Sequence, residues 1–597
     1  MRGMGAWSVA AVLLLGCSGT KGRGGTDRAA EAADDAPATR TVPATALSAL
    51  ASPPVAARST AVAATSPLCA TCHSNSSGAG AMRDASQRPI APFDLWRGSM
   101  MANSARDPLW RATVSAEVAL RPAAKGAIEA TCMRCHSPLL EIETRLQGDG
   151  RAPGSRHLGM AGLFGDLARD GASCAGCHRI APDGLGTPRS FDGHFVVHDD
   201  GKIFGPHADP FVMPMRNRSG FTPTQSDHMR KSALCGSCHT LETAQLDAAG
   251  APTGKRHHEQ SPYLEWRASD FSTEVAQPGP AAQDCQGCHM PTRDVDDAPI
   301  ATRIARRPSG SDFPPIDDRS PYGRHLLVGG NTLLPAILRD HRATLAPDVP
   351  AAAFDATLDA ARQQLRHHTA RLDAIEPLRV QTGRDGAPRL RGAIRVRNLA
   401  GHKLPTGYPS RRLWLRLRVL KGETVLLAVG EHDARGRILG ADGKPRPTER
   451  RGGPGEPHAD RLQGPQVAVW ESVMRGPDGK PTFHLLDAGG FWKDDRLLPS
   501  GWNAAHPDAA ATAPVGVADD PDFRPGSDVV HLDLPLPRGA APTHVEATLH
   551  FQTVSPRWAE ELLAVVTPET TAFGKLWQAA DVRPAVVDAQ TFAVGGE

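Results

Sequence analysis

Five short segments share one arrangement of reactive side chains. They are Cys69-Ala-Thr-Cys72-His73, Cys132-Met-Arg-Cys135-His136, Cys174-Ala-Gly-Cys177-His178, Cys235-Gly-Ser-Cys238-His239 and Cys285-Gln-Gly-Cys288-His289. Two thiols separated by two residues and followed at once by an imidazole form the attachment signature of c-type haem. The thiols become thioethers on the porphyrin vinyl groups, and the adjacent histidine reaches the iron from the proximal side. A lone C-x-x-C reads equally well as a zinc knuckle or a redox dithiol. Neither needs histidine directly after the second cysteine, and here all five copies carry it. Of the 11 cysteines, the motifs use ten, and only Cys17 is left over. Five covalent haem c groups are the expectation.

The elements that must position these motifs read as α+β. Residues 67–345 form a pentahaem region with roughly 55 residues per motif. Helical periodicity is clearest from Phe93 to Leu120. Much of the rest, such as 181–224, carries Pro and Gly too often for long helices. Porphyrins would themselves supply much of the hydrophobic core. Across 346–379, Phe354, Leu358, Ala361, Leu365, His368 and Leu372 step by four and three, the pattern of a connector helix. From about 380 to 597 the period changes to two: Leu413, Leu415, Leu417 and Val419 alternate, as do Val530, Leu532, Leu534 and Leu536. Strands separated by Gly, Pro and Asp turns predict a β-sandwich-like domain.

Ahead of the motifs, residues 1–16 read as a signal peptide. Its apolar core, Ala6–Leu15, is too short to span a bilayer. It ends in Leu14-Leu15-Gly16-Cys17-Ser18, a lipobox-like sequence that reads Cys17 as the lipidation site and so accounts for the eleventh cysteine; the alternative is an ordinary secretory signal with an incidental cysteine. Several acyl chains would then hold the protein on a membrane. Ser18 directs the expectation to the outer membrane. Residues 17–66, rich in Ala, Thr, Ser and Pro, read as a flexible tether. The chain carries 67 Lys plus Arg against 65 Asp plus Glu, so nothing points to nucleic acid.

The chain resembles the large multihaem c-type cytochromes of the cytochrome c-554-like superfamily. The resemblance rests on Trp96-Arg-Gly-Ser-Met-Met-Ala-Asn-Ser-Ala-Arg-Asp-Pro108, Ser232–Leu241, Glu259-Gln-Ser-Pro-Tyr-Leu-Glu-Trp266, Cys285–Pro291, His325-Leu-Leu-Val-Gly-Gly-Asn331 and Gly401-His-Lys-Leu-Pro-Thr-Gly407. It implies electron transfer in the periplasm or at the cell surface, with periplasmic or membrane redox partners.

The second axial position of each iron decides between carrier and catalyst. Five of the 24 histidines belong to the motifs, leaving 19. His228, seven residues before Cys235, heads the distal candidates. His325 follows, in a stretch matching the family. Met101 stands where some relatives carry histidine, and it reads either as an iron ligand or as helix-face packing. His402 either reaches a haem from the β-domain or fixes its own turn. His368 reads as core, His194 and His207 are reserves, and His257 and His258 are discounted. Ser410-Arg411-Arg412 reads either as a haem-propionate clamp or as solvated charge. Lys493–Pro499 reads as a structured loop rather than a cation site. No nucleophile elbow, phosphate loop or zinc helix appears.

The reading is an exported, lipid-anchored pentahaem electron carrier. One alternative is a reductase or oxidase of a small nitrogen or sulfur compound, with one haem lacking a distal ligand in a pocket of His, Lys, Tyr or Arg. Another is a surface protein that uses haem as scaffold.

Overall fold

The computed structural model describes residues 41–148 and 152–595. The signal segment, Cys17 and the first part of the expected tether lie outside them. The described residues form one compact α+β unit. Among the described residues no helix is long and apolar enough to cross a membrane.

The tether expected through residue 66 gives way to packed structure by residue 44. A 3-10 helix at Ala44–Leu50 places Leu47 and Leu50 three apart on one side, both fully buried. They pack with Leu109, Leu338 and Phe573, and the Arg111 guanidinium donates to the carbonyls of Ala49 and Leu50. Val62, Ala63 and Ala64 enter a second cluster. An average composition hides this, because two well-spaced leucines are enough to anchor a segment.

The motif region is built from short helices. Four of them, Ser66–His73, Lys125–His136, Cys174–His178 and Cys285–His289, end on the motif histidine. The fourth motif spans Ser232–Gly236 and the turn after it. Two of the short helices are capped from their own sequence: the side chains of Ser173 and Asp284 accept from the amides of Gly176 and Gly287. The periodic stretch 93–120 is not one helix. It divides into Pro92–Trp96 and Pro108–Leu120, because Asp107 caps the second helix and Pro108 occupies its first position.

The connector is the 18-residue helix Ala351–His368, which buries Phe354, Leu358, Ala361 and Leu365. His368 is exposed at its end, not core. Leu372 already lies in the strand Ala370–Thr382.

The C-terminal region is a single mixed sheet of 11 strands rather than two separate sheets. Arg412–Lys421 pairs antiparallel with His544–Gln552, setting Leu413 opposite Phe551, Leu415 opposite Leu549 and Val419 opposite Val545. Pro388–Asn398 pairs likewise with Ser527–Pro535, with Leu390 opposite Leu534. The two halves join through a short parallel pairing at Val594–Leu378 and Gly595–Arg379. Side chains from both halves share one core, so the sheet folds over itself as a sandwich would.

Two helices that the strand pattern did not announce, Pro556–Leu563 and Pro568–Ala579, follow the strand ending at Gln552. Their Trp558, Phe573 and Leu576 pack with Leu109, Ala112 and Ala116 of the motif region. The expected boundary between two domains is therefore crossed by a shared apolar core.

Candidate functional site: a cavity lined by all five motifs

All ten motif cysteines and all five motif histidines line one cavity of about 2530 Å³. Pockets for small molecules hold roughly 300–1,000 Å³, so this one has room for several large groups. The ten thiols form no disulfides. Burial raises the Cys177 thiol to about 12 and the Cys288 thiol to about 11, so both stay protonated.

Cysteines of different motifs approach one another. Cys69 lies in hydrogen-bond reach of Cys174, Cys135 of Cys238, and Cys235 of Cys285. Cys177 is close enough to Cys238 to feel its charge. Motif one thus neighbours motif three, and motif four neighbours motifs two, three and five.

Four motif imidazoles are oriented by main-chain carbonyls. The Nδ1–H of His73 donates to Ile304 O (2.9 Å), that of His136 to Ser104 O (3.0 Å), that of His178 to Phe204 O (2.6 Å) and that of His289 to Val328 O (2.8 Å). This fixes the tautomer and leaves Nε2 toward the cavity, the usual state of a metal-bound histidine. Burial favours the neutral ring: it lowers His136 and His239 to about 4 and pulls His73, His178 and His289 down as well. The indole of Trp110 stacks on His136 at 4.4 Å and 4°.

Two of the motif histidines face a second imidazole. His178 and His325 have ring centroids 6.5 Å apart and an interplanar angle of 20°. His289 and His402 stand 6.4 Å apart at 10°. Both outer rings have Nδ1 occupied, that of His325 by Gly323 O and that of His402 by Lys403 O, each at 3.0 Å. About 2 Å from metal to each nitrogen and about 1 Å from nitrogen to ring centre would separate two trans imidazoles by roughly 6 Å. The residues present therefore fit an iron porphyrin between each pair.

The loop that carries His402 is held by a buried charge network. Glu265, fully buried on the helix Pro262–Arg267, accepts from the Lys403 amide (3.0 Å), the Thr406 hydroxyl (2.5 Å) and Arg496 Nη1 (3.2 Å). Asp494 accepts from Lys403 Nζ (2.6 Å) and from Arg496 Nε and Nη2 (both 2.7 Å). The Arg496 and Lys403 charges hold the Asp494 carboxyl at about 2 despite its burial. The loop around 493–499 is thus a structured element whose charges are spent on this network and on the Lys493 pairs with Glu471 and Asp495.

The other expectations divide. His228 is buried and absent from the cavity wall, and both its ring nitrogens are used: Nδ1 meets the Ser226 hydroxyl (2.7 Å) and Nε2 meets Ile180 O (2.9 Å). Of the distal candidates it is therefore the one that stands apart from the cavity holding the motif histidines. Met101 is half-buried on the cavity wall, and its carbonyl accepts from the Ala172 amide. His194, His207 and His368 also line the cavity, whereas His257 and His258 do not. Arg411 faces the cavity, and Arg412 instead makes a bidentate pair with Glu449 at 2.5 and 2.9 Å.

Sequence reasoning passed over Glu265, Lys403, Asp494 and Arg496 as positioning residues. A signal was present, since Glu265 and Lys403 sit inside two of the strings that carry the resemblance. Ser104 and Val328, whose carbonyls hold His136 and His289, sit inside two more.

No family model matches the chain, and no curated protein does. Among solved structures it is similar to a penta-heme cytochrome c552 from Thermochromatium tepidum, at 15% identity over 89% of this chain and 98% of that one, with a TM-score of 0.45.

Proposed function

We propose that this chain is a multihaem c-type cytochrome that carries single electrons through five covalently attached haems. The observation that carries the reading is the convergence of all fifteen motif residues on one cavity, with two motif histidines each opposed by a second imidazole. Bound there, haem supplies one-electron chemistry at iron. The protein's own residues do the rest. His73, His136, His178, His239 and His289 are the proximal ligands, and the carbonyls that hold four of them set their orientation. His325 and His402 are the distal ligands for the third and fifth motifs. Met101, His194, His207 and His368 are among the cavity-wall groups that remain for the others.

The cysteine contacts support an electron path through motifs one, three, four and five in series, with motif two joined to four. Arg411 is the clamp for a propionate. Intact-protein mass spectrometry tests the count: the mature chain should carry five haems, and four or fewer in fully matured protein would refute it.

Export with lipidation at Cys17, on the outer membrane, is part of the same reading and is supported by the Leu14–Ser18 sequence. Replacing Cys17 with Ser should release the protein in soluble form or block its processing. Unchanged membrane association would rule the anchor out.

A second reading, a reductase or oxidase of a small nitrogen or sulfur compound, is favoured by one feature. Beside Cys132 the cavity wall carries Tyr408, Glu117 and Glu259, and burial raises both carboxyls to about 7. Carbon monoxide binding to the reduced protein at one iron in five would select this reading. Its absence would select the carrier.

A further inference from the structure

We infer that the sheet region holds a divalent transition-metal site, separate from the haem cavity, formed by His458, Asp520 and Asp528. One ligand atom from each lies within 4.8 Å of the others. His458 Nε2 and Asp520 Oδ2 are 2.8 Å apart, a separation that a shared cation permits.

Each ligand is held from behind. His458 Nδ1 is 3.0 Å from Asp495 Oδ2, the carboxylate-histidine arrangement that fixes a metal-binding tautomer. Asp495 is fully buried and fixed in turn by the Glu471 amide (2.8 Å) and Lys493 Nζ (3.3 Å). Asp528 Oδ2 accepts from Trp470 Nε1 (2.7 Å), and Asp520 Oδ1 accepts from the Asp522 amide (2.8 Å). Phe523 covers the imidazole edge-on at 5.7 Å.

The second observation is an orphan. Asp528 is fully buried, yet its Oδ1 has no hydrogen-bond partner among the described residues. The Val529 amide approaches the carboxylate without a well-aligned bond. A buried carboxylate oxygen without a donor is costly unless a cation meets it. Charge count points the same way. Asp495, Asp520, Asp528 and Glu471 confront one lysine and one imidazole, so a dication in place of the imidazole proton lowers the excess negative charge of the cluster by one. An imidazole with two carboxylates suits Zn²⁺ or Mn²⁺, whereas Ca²⁺ takes all-oxygen sets.

The test uses the full-length holoprotein, stripped with chelator and titrated with Zn²⁺ against a competing chromophoric chelator, with haem iron as internal standard. One Zn²⁺ per chain should survive gel filtration and raise the thermal midpoint. Asp528→Asn and Asp520→Asn should each weaken binding at least about ten-fold and abolish the thermal shift. If Asp528→Asn does not fold, Asp520→Asn, at the more open edge of the site, carries the comparison. Failure of the wild type to retain Zn²⁺, equal binding by a folded variant, or preference for Ca²⁺ would overturn the site.

Discussion

The two halves of this molecule solve the problem of a hydrophobic core in opposite ways. In the sheet region, alternating Leu, Val and Ile from both halves of one folded sheet meet in register, and Leu413, Leu415, Leu417, Val530 and Leu549 are all fully buried. In the motif region the largest feature is a cavity, and its wall sets the motif thiols and imidazoles among apolar side chains such as Trp96, Trp110, Ile128 and Phe195. Cys174–His178 and Cys285–His289 are short because they need only present a Cys-x-x-Cys-His turn, whereas Pro108–Leu120 and Pro138–Gln147 also bury apolar faces. What the sheet achieves wholly with its own side chains, the motif region achieves in part, through a cluster that includes Leu139, Leu140, Ile142 and Leu167, and on the proposed function a cofactor supplies the rest.

The sharpest way to break that contrast is to withhold the cofactor. A chain with all ten motif cysteines replaced by alanine should lose native helical circular dichroism. Hydrogen exchange should show 67–345 unprotected while strands 412–421 and 544–552 stay protected. Native dichroism without haem would show that the motif region has a sufficient core of its own.

A smaller effect is expected where the halves meet. Glu265→Ala leaves the buried Arg496 and Lys403 to share one carboxylate, Asp494, so one positive charge is unbalanced, and it should cost about 3–5 kcal/mol in urea unfolding, with loss of the His402 ligation signal. Leu415→Ala, deep in the sheet, should cost about 2–5 kcal/mol and leave the haem spectrum unchanged. Similar spectral responses from the two variants would mean that the network does not position His402.

How much of this was legible in the sequence follows from the same contrast. Strands read cleanly because period two is a local property, and the fifteen motif residues read because their spacing is fixed by porphyrin chemistry. His325 and His402 were visible as candidates, though nothing local says which ring each one faces. That the His228 nitrogens meet Ser226 and Ile180 is a tertiary fact that no local pattern announces. Leu47 and Leu50 were lost in a polar composition. The helices after Gln552 carry good caps at Ser555 and Thr567, a signal that the strand reading overrode. Glu265 looks like any helical glutamate until Lys403, Thr406 and Arg496 close around it.

The measurement that bears most directly on the account is electron paramagnetic resonance of the oxidised protein beside its His325→Ala and His402→Ala variants. Each variant should convert one of five low-spin ferric centres to high spin, and the double variant two, with the haem count by mass unchanged. Spectra identical to wild type in both single variants would contradict the assignment of these imidazoles as iron ligands.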